Sequence, residues 1–163
     1  MDAFLSISST RKNYTLRQMQ KTVVKSPFLK KSLCPCTSGL AYEKCCYSYH
    51  LGTAPPTALA LMRSRYSAYA LQLSEYIIKT THPLNPHYKE RGDQWKQGIR
   101  DFYKGTLFEK LEILDFEPGE EESFVTFKAH LKQAGEDATF TERSCFWKVN
   151  GRWLYLSGEI ILK

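Results

Sequence analysis

Between Ala58 and Leu73, apolar side chains recur in steps of three and four: Ala58, Leu61, Met62, Tyr66, Tyr69 and Leu73 make one helical stripe. Pro55-Pro56-Thr57 supplies its start, a rigid turn running into a residue that caps well. A shorter helix is predicted from a cap at Ser74 to Pro83. A third begins at Asn85-Pro86, where a capping side chain precedes a proline suited to the first helical position. It carries Tyr88, Gly92, Trp95, Ile99 and Phe102 up to Gly105.

From Thr106 the period changes to two, with breaks at Pro118-Gly119, Gly135 and Asn150-Gly151, so four antiparallel strands are expected. Asn-Gly between alternating apolar residues signals a type I′ hairpin, because that turn needs positive φ at both central positions. Val149 then lies opposite Arg152. In that register Ser144, Phe146, Trp153, Tyr155 and Ser157 share one face, and Cys145, Trp147, Leu154 and Leu156 the other. Both faces carry apolar groups, whereas a sheet packed only on its helices shows a polar back. The fold class is α+β, a four-stranded antiparallel sheet with about three helices.

The chain has 163 residues, 42% of them hydrophobic, which suits one ordinary domain with a small appendage. No window approaches the ~20 apolar residues a bilayer crossing demands, so no membrane role is expected. The net charge of +6 would suggest nucleic acid if it were spread over the fold. It is not: Arg11, Lys12, Arg17, Lys21, Lys25, Lys30 and Lys31 stand against Asp2 alone before residue 34, and the remainder is neutral. Residues 1–32 read as a basic disordered tail, making a salt-sensitive contact at most, and nucleic-acid binding is not expected. The tail lacks a secretory apolar core. Its Ser-rich, acid-poor composition fits a transit peptide, a plain extension, or a start misassigned upstream of Met19. A cytoplasmic location is the expectation.

Four of five cysteines fall within thirteen positions: Cys34-Pro35-Cys36, eight residues, then Cys45-Cys46. Soft thiolates in two close pairs suit a tetrahedral metal, and Ser38-Gly39 lets the intervening loop turn tightly. Disulfides and buried free thiols are the alternatives. Within each pair the geometry is poor for a bridge, and cross-pairing needs an oxidising compartment that nothing in the chain indicates. Adjacent ligands are unusual in ordinary zinc ribbons, so spacing alone does not decide.

Cys34-Pro35-Cys36-Thr37-Ser38-Gly39, followed by Tyr42 and Cys45-Cys46, resembles the SEC-C zinc-binding motif. Beyond it, Leu61 to Tyr69, Tyr76 to Pro83, Glu142 to Ser144 and Asn150 to Trp153 resemble the YchJ-type family of uncharacterised bacterial proteins. The likeness runs from about residue 33 to 159. It implies a zinc knuckle over residues 33–50 and, over 55–163, a domain similar to nuclear transport factor 2, a cone of curved sheet closed by helices. It implies one structural zinc on Cys34, Cys36, Cys45 and Cys46, with no open position for chemistry. Thr37 stands where the motif usually has glycine, and Leu40 and Ala41 where it usually has lysines, which weakens any basic docking surface. No second cysteine pair follows near Lys163.

The resemblance also points Ser144, Phe146, Trp153 and Tyr155 into the cone, leaving Cys145, Trp147, Leu154 and Leu156 as a homodimer surface or a seat for the knuckle. With Tyr66, Tyr69 and His82 they outline a pocket for a small molecule. His82 could act as a general base oriented by Asp115, although a histidine closing a helix is the commoner arrangement. Arg63 and Arg65 suit an anion, or else a solvated face with one buried ion pair. Cys145 reads as a buried or interfacial thiol rather than a nucleophile. No phosphate loop, dinucleotide fingerprint, HExxH or GxSxG occurs. The sequence therefore reads as an interaction or accessory module, docking a protein partner through the knuckle, rather than as an enzyme. The alternative is a small-molecule binder or enzyme working in the cone.

Overall fold

In the computed structural model, residues 27–88 and 92–162 are described; most of the expected tail, residues 1–26, lies outside them. The chain runs through α1 (Pro27–Lys31), a 3-10 turn (Tyr42–Lys44), α2 (Tyr47–His50), α3 (Ala58–Ala70), α4 (Ser74–Lys79) and α5 (Gly92–Lys104). Then come β1 (Thr106–Glu117), β2 (Glu122–Gln133), the two-residue β3 (Glu136–Asp137), β4 (Phe140–Val149) and β5 (Arg152–Ile160). The turn at Pro27–Lys31 places helix at the end of a stretch expected to be disordered.

The strands form one antiparallel sheet in the order β1-β2-β4-β5, with β3 paired to β2. Asn150 and Gly151 take φ of 50° and 75°, and Val149 lies opposite Arg152, as the type I′ hairpin requires. Further along the hairpin the register slips. Phe146 pairs with Tyr155 but Cys145 with Ser157, so Leu156 is the extra residue of a bulge. Ser157 thus turns to the face of Cys145, not that of Tyr155 as expected, and Gly158 takes the inner position opposite Ser144.

β2 alternates strictly, burying Ser123, Val125, Phe127, Ala129 and Leu131. These share a core with Ala58, Leu61, Met62 and Tyr66 of α3 and with Phe146 and Trp153. Burying large apolar side chains of this kind contributes roughly 1.5–3 kcal/mol each. Thr57 begins α3 by accepting the Ala60 amide at 3.0 Å.

α3 is buried on its other side too. Ser64, Ser67 and Ala68 are fully buried there, where a second core joins Leu73 and Ile77, Ile99 and Tyr103 of α5, and Cys34, Cys36, Tyr42 and Cys46. In the fold the Ser64 hydroxyl donates to Leu61 O at 2.9 Å and meets the Tyr76 hydroxyl at 2.7 Å, which satisfies it inside. Asn85 does not cap the third helix. Its Oδ1 accepts the His87 amide in a turn, its Nδ2 donates at 2.7 Å to Leu156 O on the bulge, and α5 is described from Gly92.

Candidate metal centre and cone cavity

The knuckle folds back through short-range backbone bonds: Cys34 N donates to Leu40 O, Tyr42 N to Ser32 O and Cys45 N to Tyr42 O. The first two bring the ends of the Cys34–Leu40 loop together, and the 3-10 turn then delivers Cys45 and Cys46 to the same point. The four sulfurs lie within 4.8 Å of one another. Cys36 and Cys45 are 3.5 Å apart, Cys45 and Cys46 3.8 Å. A tetrahedral tetrathiolate with ~2.3 Å metal–sulfur bonds has sulfurs ~3.8 Å apart, so the donor set fits a divalent metal in both chemistry and size. All five cysteines are free thiols.

Three of the four sulfurs belong to buried residues, and Cys45 is half-buried. Ser67 of α3 lies 3.4 Å from the Cys34 sulfur and donates to Cys46 at 3.5 Å, while Ser38 lies 3.2 Å from Cys45. Hydrogen bonding to Cys36 pushes the Cys34 thiol up to about 11. Bonds from Cys34 and Cys46 hold Cys36 well below the usual thiol range, and their counterpart raises Cys46. Thiols this close share protons through their mutual hydrogen bonds, and a metal ion would replace those protons.

Thr37 adopts φ 55°, an uncommon conformation for a β-branched residue. Its hydroxyl donates to Leu111 O at 2.7 Å and accepts Leu111 N at 3.1 Å, which ties the cysteine loop to β1. Arg63 Nη1 donates to Cys36 O at 3.2 Å. His50 links the knuckle to α3: Nε2 donates to Ser64 O at 2.8 Å, so Nδ1 accepts the Tyr42 hydroxyl at 2.6 Å. Burial pushes the His50 pKa down to about 4, and with both nitrogens engaged it is not a ligand. The knuckle's seat is therefore α3, the α4–α5 core and β1. The expected seat on Cys145, Trp147, Leu154 and Leu156 is not used, because the buried serines of α3 supply the polar surface that sulfur needs.

Under the other side of α3 the cone encloses a cavity of about 160 Å³, lined by residues that include Arg65, Tyr66, Tyr69, Phe108, Glu142, Ser144 and Tyr155. Arg65 is buried and stacks on Tyr155, its guanidinium carbon 4.6 Å from the ring centre. Its Nη1 donates to Ile77 O, Thr80 Oγ1 and Thr81 Oγ1. The expected buried ion pair is absent: no carboxylate among the described residues lies within 4.0 Å of Arg65. Glu142 Oε1 accepts the Ser144 hydroxyl at 2.6 Å and the Tyr155 hydroxyl at 3.1 Å. Gly158 gives the Glu142 carboxylate its room, since a Cβ at that position would force the carboxylate to shift. Burial raises the pKa of Tyr66, Tyr69 and Tyr155, keeping the phenols protonated.

Of the pocket residues expected from sequence, Tyr66, Tyr69, Ser144 and Tyr155 line this cavity. Phe146 and Trp153 do not; they are filled into the core beside Leu61. His82 lies outside the cone, its ring edge-on to Trp147 with centroids 5.6 Å apart and Nδ1 accepting the Leu84 amide at 3.0 Å. It cannot pair with Asp115, because residues 80–82 bond to Tyr155 on β5 while Asp115 is on β1, at the opposite edge of the sheet. Sequence reasoning missed Glu142. It alternates with Ser144 and Phe146, so period two alone puts it inside. On the outer face Trp147 and Val149 are exposed and Cys145, Leu154 and Leu156 half-buried. Burial raises the Cys145 thiol to about 11, in keeping with an inert role.

The family described as "YchJ, middle NTF2-like domain" matches residues 57–158. A UPF0225 protein of Actinobacillus succinogenes is 37% identical over 134 residues, covering 80% of this chain and 84% of that one. One from Serratia proteamaculans is 40% identical over 131 residues, 77% and 82% of the two chains. Among solved structures, a SEC-C motif containing protein from Rhodopseudomonas palustris aligns with a TM-score of 0.68 at 34% identity, covering 79% of this chain and 98% of its own. Another, from Psychrobacter arcticus, gives 0.66 at 28%, covering 83% and 86%. No helix among the described residues is long and apolar enough to cross a membrane.

Proposed function

The chain belongs to the YchJ-type, UPF0225 family, and from that premise we propose that it is an accessory binding module in which zinc is a structural fastener and the cone is the working part. Zinc is held by Cys34, Cys36, Cys45 and Cys46, and four thiolates saturate it, so it leaves no position for water or substrate. One observation carries the reading: the cysteine cluster is built into a core shared with α3, α4 and α5, not displayed on a free knob. A knuckle so embedded has little sulfur-side surface to offer a partner, which shifts the binding role to the cone. The cone supports it with a cavity holding a buried arginine that has no carboxylate partner within ion-pair reach among the described residues.

A second reading is pairing of two copies through the outer face, favoured by the exposure of Trp147 and Val149 at 36% and 37%. Native mass spectrometry of protein purified from cells tests both. The reading expects one zinc per chain and a small molecule that leaves on denaturation. A chain that never carries a small molecule, yet loses a protein partner when Thr37 or Ser38 is replaced, would return the function to the knuckle.

A further inference from the structure

The cavity's size and its two charged groups narrow what it can hold. At about 160 Å³ it is close to the ~150 Å³ apolar cavity that admits one benzene ring. Tyr69, Phe102 and Phe108 stand in mutual ring contact on one side, with centroids 5.6 to 6.3 Å apart, and Phe127 and Phe140 meet edge-on at 6.0 Å on another. Such walls suit a flat ring.

Arg65 brings a guanidinium whose hydrogen bonds to the described residues all leave from Nη1. Nε and Nη2 are the donors left over, a planar edge matched to the two oxygens of a carboxylate. Glu142 commits Oε1 to Ser144 and Tyr155, which leaves its second oxygen able to accept a further donor. Both residues line the same cavity, so a ligand that sets one negative group on Arg65 and a neutral donor on Glu142 avoids bringing like charges together.

We propose that the cone cavity binds a single-ring aromatic carboxylic acid bearing a hydroxyl, with its carboxylate on Arg65, its ring among Phe102, Phe108, Phe127 and Phe140, and its hydroxyl donating to Glu142. This rests on the cone being a small-molecule holder and not on the metal.

Calorimetric titration of the full-length, metal-loaded protein with 4-hydroxybenzoate, benzoate, benzamide and benzylamine tests it. The hydroxy acid binds most tightly, and benzamide, the neutral isostere, binds about 10- to 100-fold more weakly, the cost of a charge-assisted contact. Benzylamine does not bind. Glu142→Gln brings 4-hydroxybenzoate and benzoate to similar affinity, and Arg65→Met abolishes binding of both. If Arg65→Met does not fold, the comparison of benzoate with benzamide on the unaltered protein carries the same test. Equal binding of benzamide and 4-hydroxybenzoate, binding of benzylamine, or no binding of any acid at millimolar concentration overturns the proposal. If the acids fail while denatured protein still releases another compound, the ligand class is wrong and the holder reading stands.

Discussion

Around the knuckle, sulfur, hydroxyl and imidazole close on one another: Ser38 and Ser67 reach the cysteines, Tyr42 meets His50, and His50 meets Ser64. Across α3, in the cone, Arg65 has no carboxylate in ion-pair reach among the described residues, and Glu142 lines the same cavity. One helix thus separates a polar cluster satisfied from within from a cavity whose lining includes the buried Tyr66 hydroxyl, which has no hydrogen-bond partner among the described residues. A buried group without a full set of partners costs free energy, so its persistence points to a partner from outside the chain. On the proposed reading, that difference gives fastening to one region and binding to the other.

The largest blow to that contrast falls on the knuckle. Cys46→Ser removes a buried ligand, and because structural zinc contributes folding energy directly, scanning calorimetry is expected to show Tm lower by at least about 10 °C with no metal retained. Cys145→Ser, on the outer face, leaves both nearly unchanged. An unaltered Tm in Cys46→Ser would mean that the fold does not need the site.

A smaller effect appears as a pH slope. His50 has a folded pKa of about 4 against an ordinary value near 6.5, so the unfolded chain takes up its proton first. The stability from neutral His50 is fully present above about pH 6.5 and is lost as pH falls toward 4, by up to about 3 kcal/mol. Urea unfolding with zinc in excess should show a steeper decline across that window for the natural chain than for His50→Gln. Equal slopes would place His50 in water rather than between Tyr42 and Ser64.

The smallest effect separates strain from bonding at Thr37. Thr37→Val keeps the shape and loses both bonds to Leu111, costing about 1–2 kcal/mol, whereas Thr37→Gly loses the same bonds but relieves the positive φ. Glycine is expected to be the milder change by chemical denaturation. A harmless valine would show that the hydroxyl does not hold the loop to β1.

Much of this was legible before any coordinates. The cysteine spacing, the three helices and the Asn150-Gly151 hairpin depend on local chemistry, which a sequence carries openly. The placement of Ser157 was not, because the bulge at Leu156 arises where Asn85 takes the Leu156 carbonyl, a contact across 71 positions. Gly158 was the available hint, since a glycine inside a strand often marks a bulge or a close approach. The burial of Ser64 and Ser67 is not legible for a related reason: a serine facing sulfur and a serine facing water look alike in one dimension. His82 and Asp115 could be joined on paper only because strand order is invisible there. Glu142 is within reach of the alternation rule, against the general tendency of a charged residue to lie outside.

The central claim is that Cys34, Cys36, Cys45 and Cys46 together hold one structural zinc. Alkylating the folded, purified protein and mapping the labelled cysteines by mass spectrometry, before and after chelation, tests it most directly. The account predicts one zinc per chain, at most slow labelling of Cys145 at first, and labelling of the other four together as the metal leaves. A folded chain with no stoichiometric metal, its four sulfurs labelled from the outset or oxidised to one another, would contradict it.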